Sequence, residues 1–208
     1  MALKEMLRSE ATTIEEIAAY LDDLAQEERS AQMLGLGRGA QRALWQRAAS
    51  SEGLRADHFV PEDRAALTPV HHRGRNTLPL PRKHQFFEKR FCRPSDEPAA
   101  GAQRLFGYNE SPSKKLIGPG YFVAVPTEPR PEWHERGALV VDYYQVPDAS
   151  VAPGWPRVVP NSAGLQRFVY KGTRDFMRGV SRHVSIGAAY KGERALDHYF
   201  VLVREDVS

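Results

Sequence analysis

The 208 residues are 41% hydrophobic and 26% charged, ordinary globular usage with enough apolar content to bury a core. No apolar run approaches the roughly 18 residues that span a bilayer, the opening MALKEMLRSEATT lacks the apolar stretch of a secretory leader, and a single cysteine excludes an internal disulfide; these features predict a soluble, cytoplasmic protein. The net charge of +3 is unevenly spread, residues 1–30 carrying eight acids against three bases, which argues against a protein that coats a nucleic-acid duplex along a whole face.

In chain order, TTIEEIAAYLDDLAQEER places Ile14, Ile17, Ala18, Leu21, Leu24 and Ala25 on one helical face. Thr13 and Glu16 form a capping box at its start. LGLGRG is a turn: its glycines lack the spacing and preceding strand of a dinucleotide fingerprint. AQRALWQRAAS then gives a second helix. Residues 1–50 read as a helical hairpin, 51–81 as a proline-containing loop segment, and 82–208 as an antiparallel β-rich domain forming one cooperative unit with the hairpin.

The segment 71–93, HHRGRNTLPLPRKHQFFEKRFCR, holds seven of the 29 Lys and Arg residues and one acid, Glu88. Basic residues among aromatics suit single-stranded nucleic acid, with rings stacked on bases; equally, Phe86, Phe87 and Phe91 serve a core while Arg82, Lys83, Lys89, Arg90 and Arg93 snorkel to water. Read as a strand, the segment puts Phe87 and Phe91 on one face and Phe86 on the other. Further strands are expected at RLFGYN, GYFVAVP, ALVVDYYQVP, LQRFVYK, HVSIGAAYK and DHYFVLVRE, the last two joined as a hairpin around GERAL. Between them TRDFMRGVS reads as a short helix with Thr173 as N-cap. The fold class is α+β, an N-terminal helical hairpin packed on a mainly antiparallel sheet or partial barrel of about six to seven strands.

No hydrolase, kinase, P-loop or zinc-site signature is present; the sequence specifies no cofactor, and no metal site is expected. Cys92 between Phe91 and Arg93 reads as a small packing residue. Lys171, Arg174, Arg178 and Arg182 recur every three or four residues and share one face of the expected helix, as an oxyanion site or as a solvated surface. Within the strands, Asp142, Tyr144, His183 and Ser185 either face water or line a pocket.

The leading functional reading is a binding protein for a small, partly apolar anionic molecule held in a strand-floored pocket, with Arg73, Arg75, Tyr144, Arg174, Arg178 and Ser185 as ligand-binding residues. Three rivals stand beside it: a small enzyme using His183 as acid or base with Asp142 orienting it; an RNA or single-strand-binding module centred on 71–93; and an adaptor that meets a protein partner through the acidic N-terminal helix.

Overall fold

A computed structural model describes residues 3–51 and 53–206. Four short helices come first: α1 (Leu3–Met6), α2 (Ile14–Asp23), α3 (Gln26–Leu34) and α4 (Arg38–Arg47). Thr13 and Glu16 make the expected capping box, each side chain meeting the other's backbone N–H, at 3.2 and 2.9 Å. The long first helix of the sequence reading is instead broken at Leu24 and Ala25, both extended, so the hairpin becomes a chain of short helices. The segment 51–81 is likewise more than loop, holding α5 (Ala56–Phe59) and strand β1 (Val70–Asn76).

The remaining strands are β2 (Phe86–Cys92), β3 (Leu105–Glu110), β4 (Phe122–Pro126), β5 (Leu139–Asp142), β6 (Thr173–Ser181), β7 (Val184–Lys191) and β8 (Arg194–Arg204), with helix α6 (Lys114–Ile117) between β3 and β4. Every strand pairs antiparallel with its sequence neighbour, and β1 also pairs with β8 through His72↔Arg204 to Asn76↔Phe200. The result is a closed eight-stranded up-and-down barrel, where six to seven strands were expected. Closure satisfies the backbone hydrogen bonds that an open sheet leaves at its edges.

Two expected elements change type. TRDFMRGVS is strand β6, not a helix. A spacing of four residues, as between Arg174 and Arg178, puts side chains on one face under either period, so the basic pattern could not decide. Conversely, LQRFVYK is not a strand: Gly164–Phe168 is a 3-10 turn and the residues after it turn back toward β6.

The pleat sorts side chains into two layers. Val70, Phe91, Leu105, Phe122, Ala124, Leu139, Val141, Met177, Phe200 and Leu202 point inward, and Leu54, Ala56, Phe59 and Val60 close the lower end, where β1 begins and β8 finishes. On the outside Phe176, Val184, Ile186, Ala188, Val201 and Val203 receive Ile14, Ile17, Leu21, Met33, Leu36 and Leu44. The helices thus lie across the outer face of β6–β8.

Three inward glycines each face a phenylalanine paired directly across a hairpin: Gly74↔Phe87, Gly107↔Phe122 and Gly187↔Phe200. The rings occupy the space the glycines leave, a cross-strand arrangement that buries aromatic area at no cost in lumen width. A Cβ on Gly107 would sit 2.3 Å from the Phe122 ring and 2.6 Å from the Arg90 carbonyl oxygen, which is backbone and cannot move aside. On Gly74 it would meet only the Phe87 ring and a Leu202 methyl, at 2.7 and 2.9 Å. Gly107→Ala is therefore expected to cost about 3 kcal/mol and Gly74→Ala about 1 kcal/mol; urea midpoints of the two variants check the order.

Candidate functional site

Toward the upper end of the barrel the apolar lumen is interrupted by Lys89, Asn109, Tyr143 and Asp175, exposed by 2, 6, 4 and 7%. Lys89 lies on β2 and Asp175 on β6, four strands apart in either direction around an eight-stranded ring. Their ion pair, 3.1 Å from Nζ to Oδ2, spans the whole lumen. Lys89 also donates to Asn109 Oδ1 at 3.0 Å and to the Tyr143 hydroxyl. That hydroxyl donates to Asp175 Oδ2 at 3.2 Å and accepts from Asn109 Nδ2 at 3.0 Å. All three N–H bonds of the ammonium are committed, which offsets part of the desolvation cost of burying two charges.

Aromatic rings enclose this centre. The Lys89 Nζ lies 5.0 Å from the centroids of Phe122, Tyr143 and Phe200 and 5.8 Å from that of Phe87, within reach of cation–π attraction. Three of the four are the phenylalanines packed over the inward glycines, so the same device that fills the barrel surrounds the charge. Burial pushes the Lys89 ammonium pKa down, and Asp175 opposes that shift. Burial, together with Asp175, drives the Tyr143 phenol well above its usual range, so it is present as a hydroxyl.

A cover closes the upper end. Tyr170 stacks on Tyr143 with centroids 5.1 Å apart and lies against Gly120, where a Cβ would come within 2.4 Å of its ring. The buried Gln166 amide donates to Pro160 O at 2.7 Å and accepts from Gly120 N at 3.3 Å. Asn161 Nδ2 ties the same stretch to the Tyr121 and Tyr143 carbonyls, at 2.7 and 2.8 Å.

The residues singled out from sequence are placed differently. His183 sits in the lower turn between β6 and β7, its Nδ1 3.0 Å from Asp206, whereas Asp142 is at the upper end of β5, pointing outward to Arg174 at 3.4 Å. They do not form a pair. Asp142, Tyr144 and Arg174 do come together: the guanidinium lies between the rings of Trp133 and Tyr144, 4.8 and 4.2 Å away. Arg178 points outward and donates to Trp45 O and Glu135 O at 2.8 and 2.6 Å. Arg73 pairs with Glu205 at 2.7 Å, and Arg75 donates to Leu34 O at 3.0 Å. Ser185 points into the barrel, fully buried, its hydroxyl without a hydrogen-bond partner among the described residues. The space beside it at Gly187 is taken by Phe200.

The basic segment 71–93 is divided between two strands. Phe87 and Phe91 face inward and Phe86 outward, the alternation expected of a strand. Lys89 does not snorkel to water but points inward with the two core rings. Arg90 pairs with Glu88 at 3.1 Å and buried Arg93 donates to Glu97 O at 3.1 Å, leaving Arg82 and Lys83 as its exposed cations without an ion pair among the described residues. Cys92 packs outside the barrel with Phe106 and Val123; burial pushes its thiol to about 11, so it is not a thiolate at neutral pH. No group of His, Cys, Asp and Glu among the described residues is arranged to hold a metal, and no described helix is long and apolar enough to cross a membrane. Comparison with protein-family models, with curated proteins and with solved structures found no match.

Proposed function

We propose that this chain binds a small, partly apolar molecule at the upper end of the barrel, with its polar group at Lys89 and its apolar part among Phe87, Phe122 and Phe200. One observation carries the reading: a lysine buried in a ring of aromatic side chains, bonded to a tyrosine, an asparagine and an aspartate, in a lumen lined mainly by apolar side chains. Eight-stranded barrels of this size either fill with their own side chains or hold one small ligand. A polar centre in an apolar lumen is the feature by which such a ligand is oriented.

The chemistry of the centre narrows the anionic ligand expected from the basic residues. Asp175 already balances Lys89, and Arg73, Arg75 and Arg178 are engaged elsewhere on the outer face. The favoured head group therefore offers acceptor oxygens without a full unshared charge, such as a ketone, an aldehyde or a protonated carboxyl. Its oxygen would have to replace one of the acceptors that Lys89 Nζ, Tyr143 Oη and Asn109 Nδ2 now share among themselves, Asp175 and Gly120 O, with Tyr170 and the turn 164–168 displaced to admit it. The enzyme reading on His183 and Asp142 is left without its pair.

Native and denaturing mass spectra of freshly purified protein test this. The expected result is added mass in the native spectrum alone, absent from a Lys89→Met/Asp175→Asn variant. A bare chain in both spectra, together with no uptake of the fluorescent amphipath N-phenyl-1-naphthylamine, would overturn it.

A further inference from the structure

Six large apolar side chains are exposed among the described residues, and four of them, Leu116, Leu165, Phe168 and Val169, stand on two adjoining turns at the upper end of the barrel. Helix α6 packs directly on the 164–168 turn, and Gln166 fills the space above Gly118, where a Cβ would lie 2.6 Å from its amide oxygen. Leu116 keeps 73% of its surface and Phe168 68%. Side chains so exposed project from the surface and do not line a groove.

The two segments that bear them carry cations and no acids. From Ser111 to Thr127 and from Ala149 to Thr173 the sequence contains no acid, although residues 1–30 hold eight. Lys115, Arg167 and Lys171 are exposed and in no ion pair among the described residues. The Arg167 guanidinium lies 4.7 Å from the Phe168 ring centroid, and Lys114 is held to Glu110 at 2.6 Å. Apolar knobs ringed by unpaired cations match the boundary between acyl chains and anionic headgroups, where hydrocarbon enters the bilayer while ammonium and guanidinium groups stay with phosphate. A partner helix would call for a groove, and an apolar protein surface would gain nothing from the surrounding cations.

We infer that the turns bearing Leu116 and Phe168 dock this end of the barrel on an anionic lipid surface. The inference deepens the binding reading, because the docking face is the outer side of the cover whose inner side carries Tyr170. Contact with lipid would then fall on the element that must move for the Lys89 centre to open.

The test is co-sedimentation of the full chain with phosphatidylcholine vesicles and with vesicles containing phosphatidylglycerol. Binding is expected only with the anionic lipid, weakening with salt, and falling about fivefold for each cation removed in Lys115→Gln and Lys171→Gln. Leu116→Ser/Phe168→Ser should abolish it while leaving the urea midpoint unchanged, since both side chains are exposed. Equal binding by wild type and the serine variant overturns the inference, as does no binding to either vesicle. So does a wild-type dimer that the serine variant converts to monomer, because the patch would then be covered by a second copy. Lys89→Met/Asp175→Asn should still bind vesicles, so failure of docking and failure of ligand binding are read separately.

Discussion

Lys89→Met is expected to destabilise the protein by about 3–5 kcal/mol, among the largest effects of any single substitution. Methionine fills the same space among Phe87, Phe122 and Phe200, so little of the loss comes from packing. The cost arises at Asp175, left as a buried carboxylate with its hydrogen bond from Tyr143 but no counter-charge. Lys89→Met/Asp175→Asn should recover most of the loss, since replacing both partners removes the unpaired charge. Urea midpoints of wild type, Lys89→Met and the double variant at neutral pH check this. A double variant no more stable than Lys89→Met would mean that the unpaired carboxylate is not the source of the loss.

The double variant also separates structure from function. If Lys89 and Asp175 serve only as a strut across the lumen, restoring stability restores everything measurable. If they orient a ligand, the double variant is stable and binds nothing, because the ammonium that meets the head group is gone. Buried ion pairs often stabilise no more than well-packed hydrocarbon. Under the binding reading proposed above, the pair has a use that well-packed hydrocarbon could not serve.

How far the sequence disclosed this centre can be traced residue by residue. The period of two in FFEKRFC separates Phe87 and Phe91 from Phe86, and the same period puts Lys89 between the two inward rings. A strand reading of the segment thus already implied an inward lysine; what hid it was the general expectation that a lysine stem snorkels. Asp175 was concealed by the four-residue spacing of Arg174 and Arg178, which fits helix and strand alike and drew the reading to the basic face of the segment. Asn109 and Tyr143 carry no local signal, because what joins them to Lys89 is barrel closure.

Closure itself was not legible. β1 reads VHHRGRN, with little of the β-branched or aromatic character of a strand, and its partner β8 lies about 130 residues away in sequence. It is a strand because it is hydrogen-bonded on both sides and sets Val70, His72 and Gly74 inward. LQRFVYK shows the converse: Leu165, Phe168 and Val169 have strand-like composition but no pairing partner, and are exposed. The capping box at Thr13 and the hairpin of β7 and β8 were legible because both are made by residues close in sequence.

The lower end of the barrel is expected to fail first in acid. His72 is inward and fully buried, its ring 5.0 Å from Phe91 and 5.4 Å from Phe59. Nε2 donates to Phe59 O at 3.0 Å, so Nε2 carries the proton of the neutral ring, and Nδ1 has no hydrogen-bond partner among the described residues. Protonation would place a charge on Nδ1 among these rings, with Arg204 and the histidines 71 and 183 around it. Burial lowers the His72 pKa to about 3, the hydrogen bond to Phe59 O opposing it and the charges of Arg204, His71 and His183 adding to it. His58, beside it, is also pushed well below its usual value by burial.

Because the folded pKa lies below the unfolded one, the unfolded chain binds the extra proton throughout the interval. Stability is full above pH 6.5 and falls as pH drops toward 3, by on the order of 5 kcal/mol from His72 alone. His72→Gln, which can keep a donor to Phe59 O and has no charge to gain, should be less stable than wild type at pH 8 but lose less between pH 6.5 and 4. Urea midpoints of both proteins across that range decide it: parallel curves would mean that acid unfolding begins elsewhere, and converging curves place it at the histidine that anchors α5 beneath the barrel.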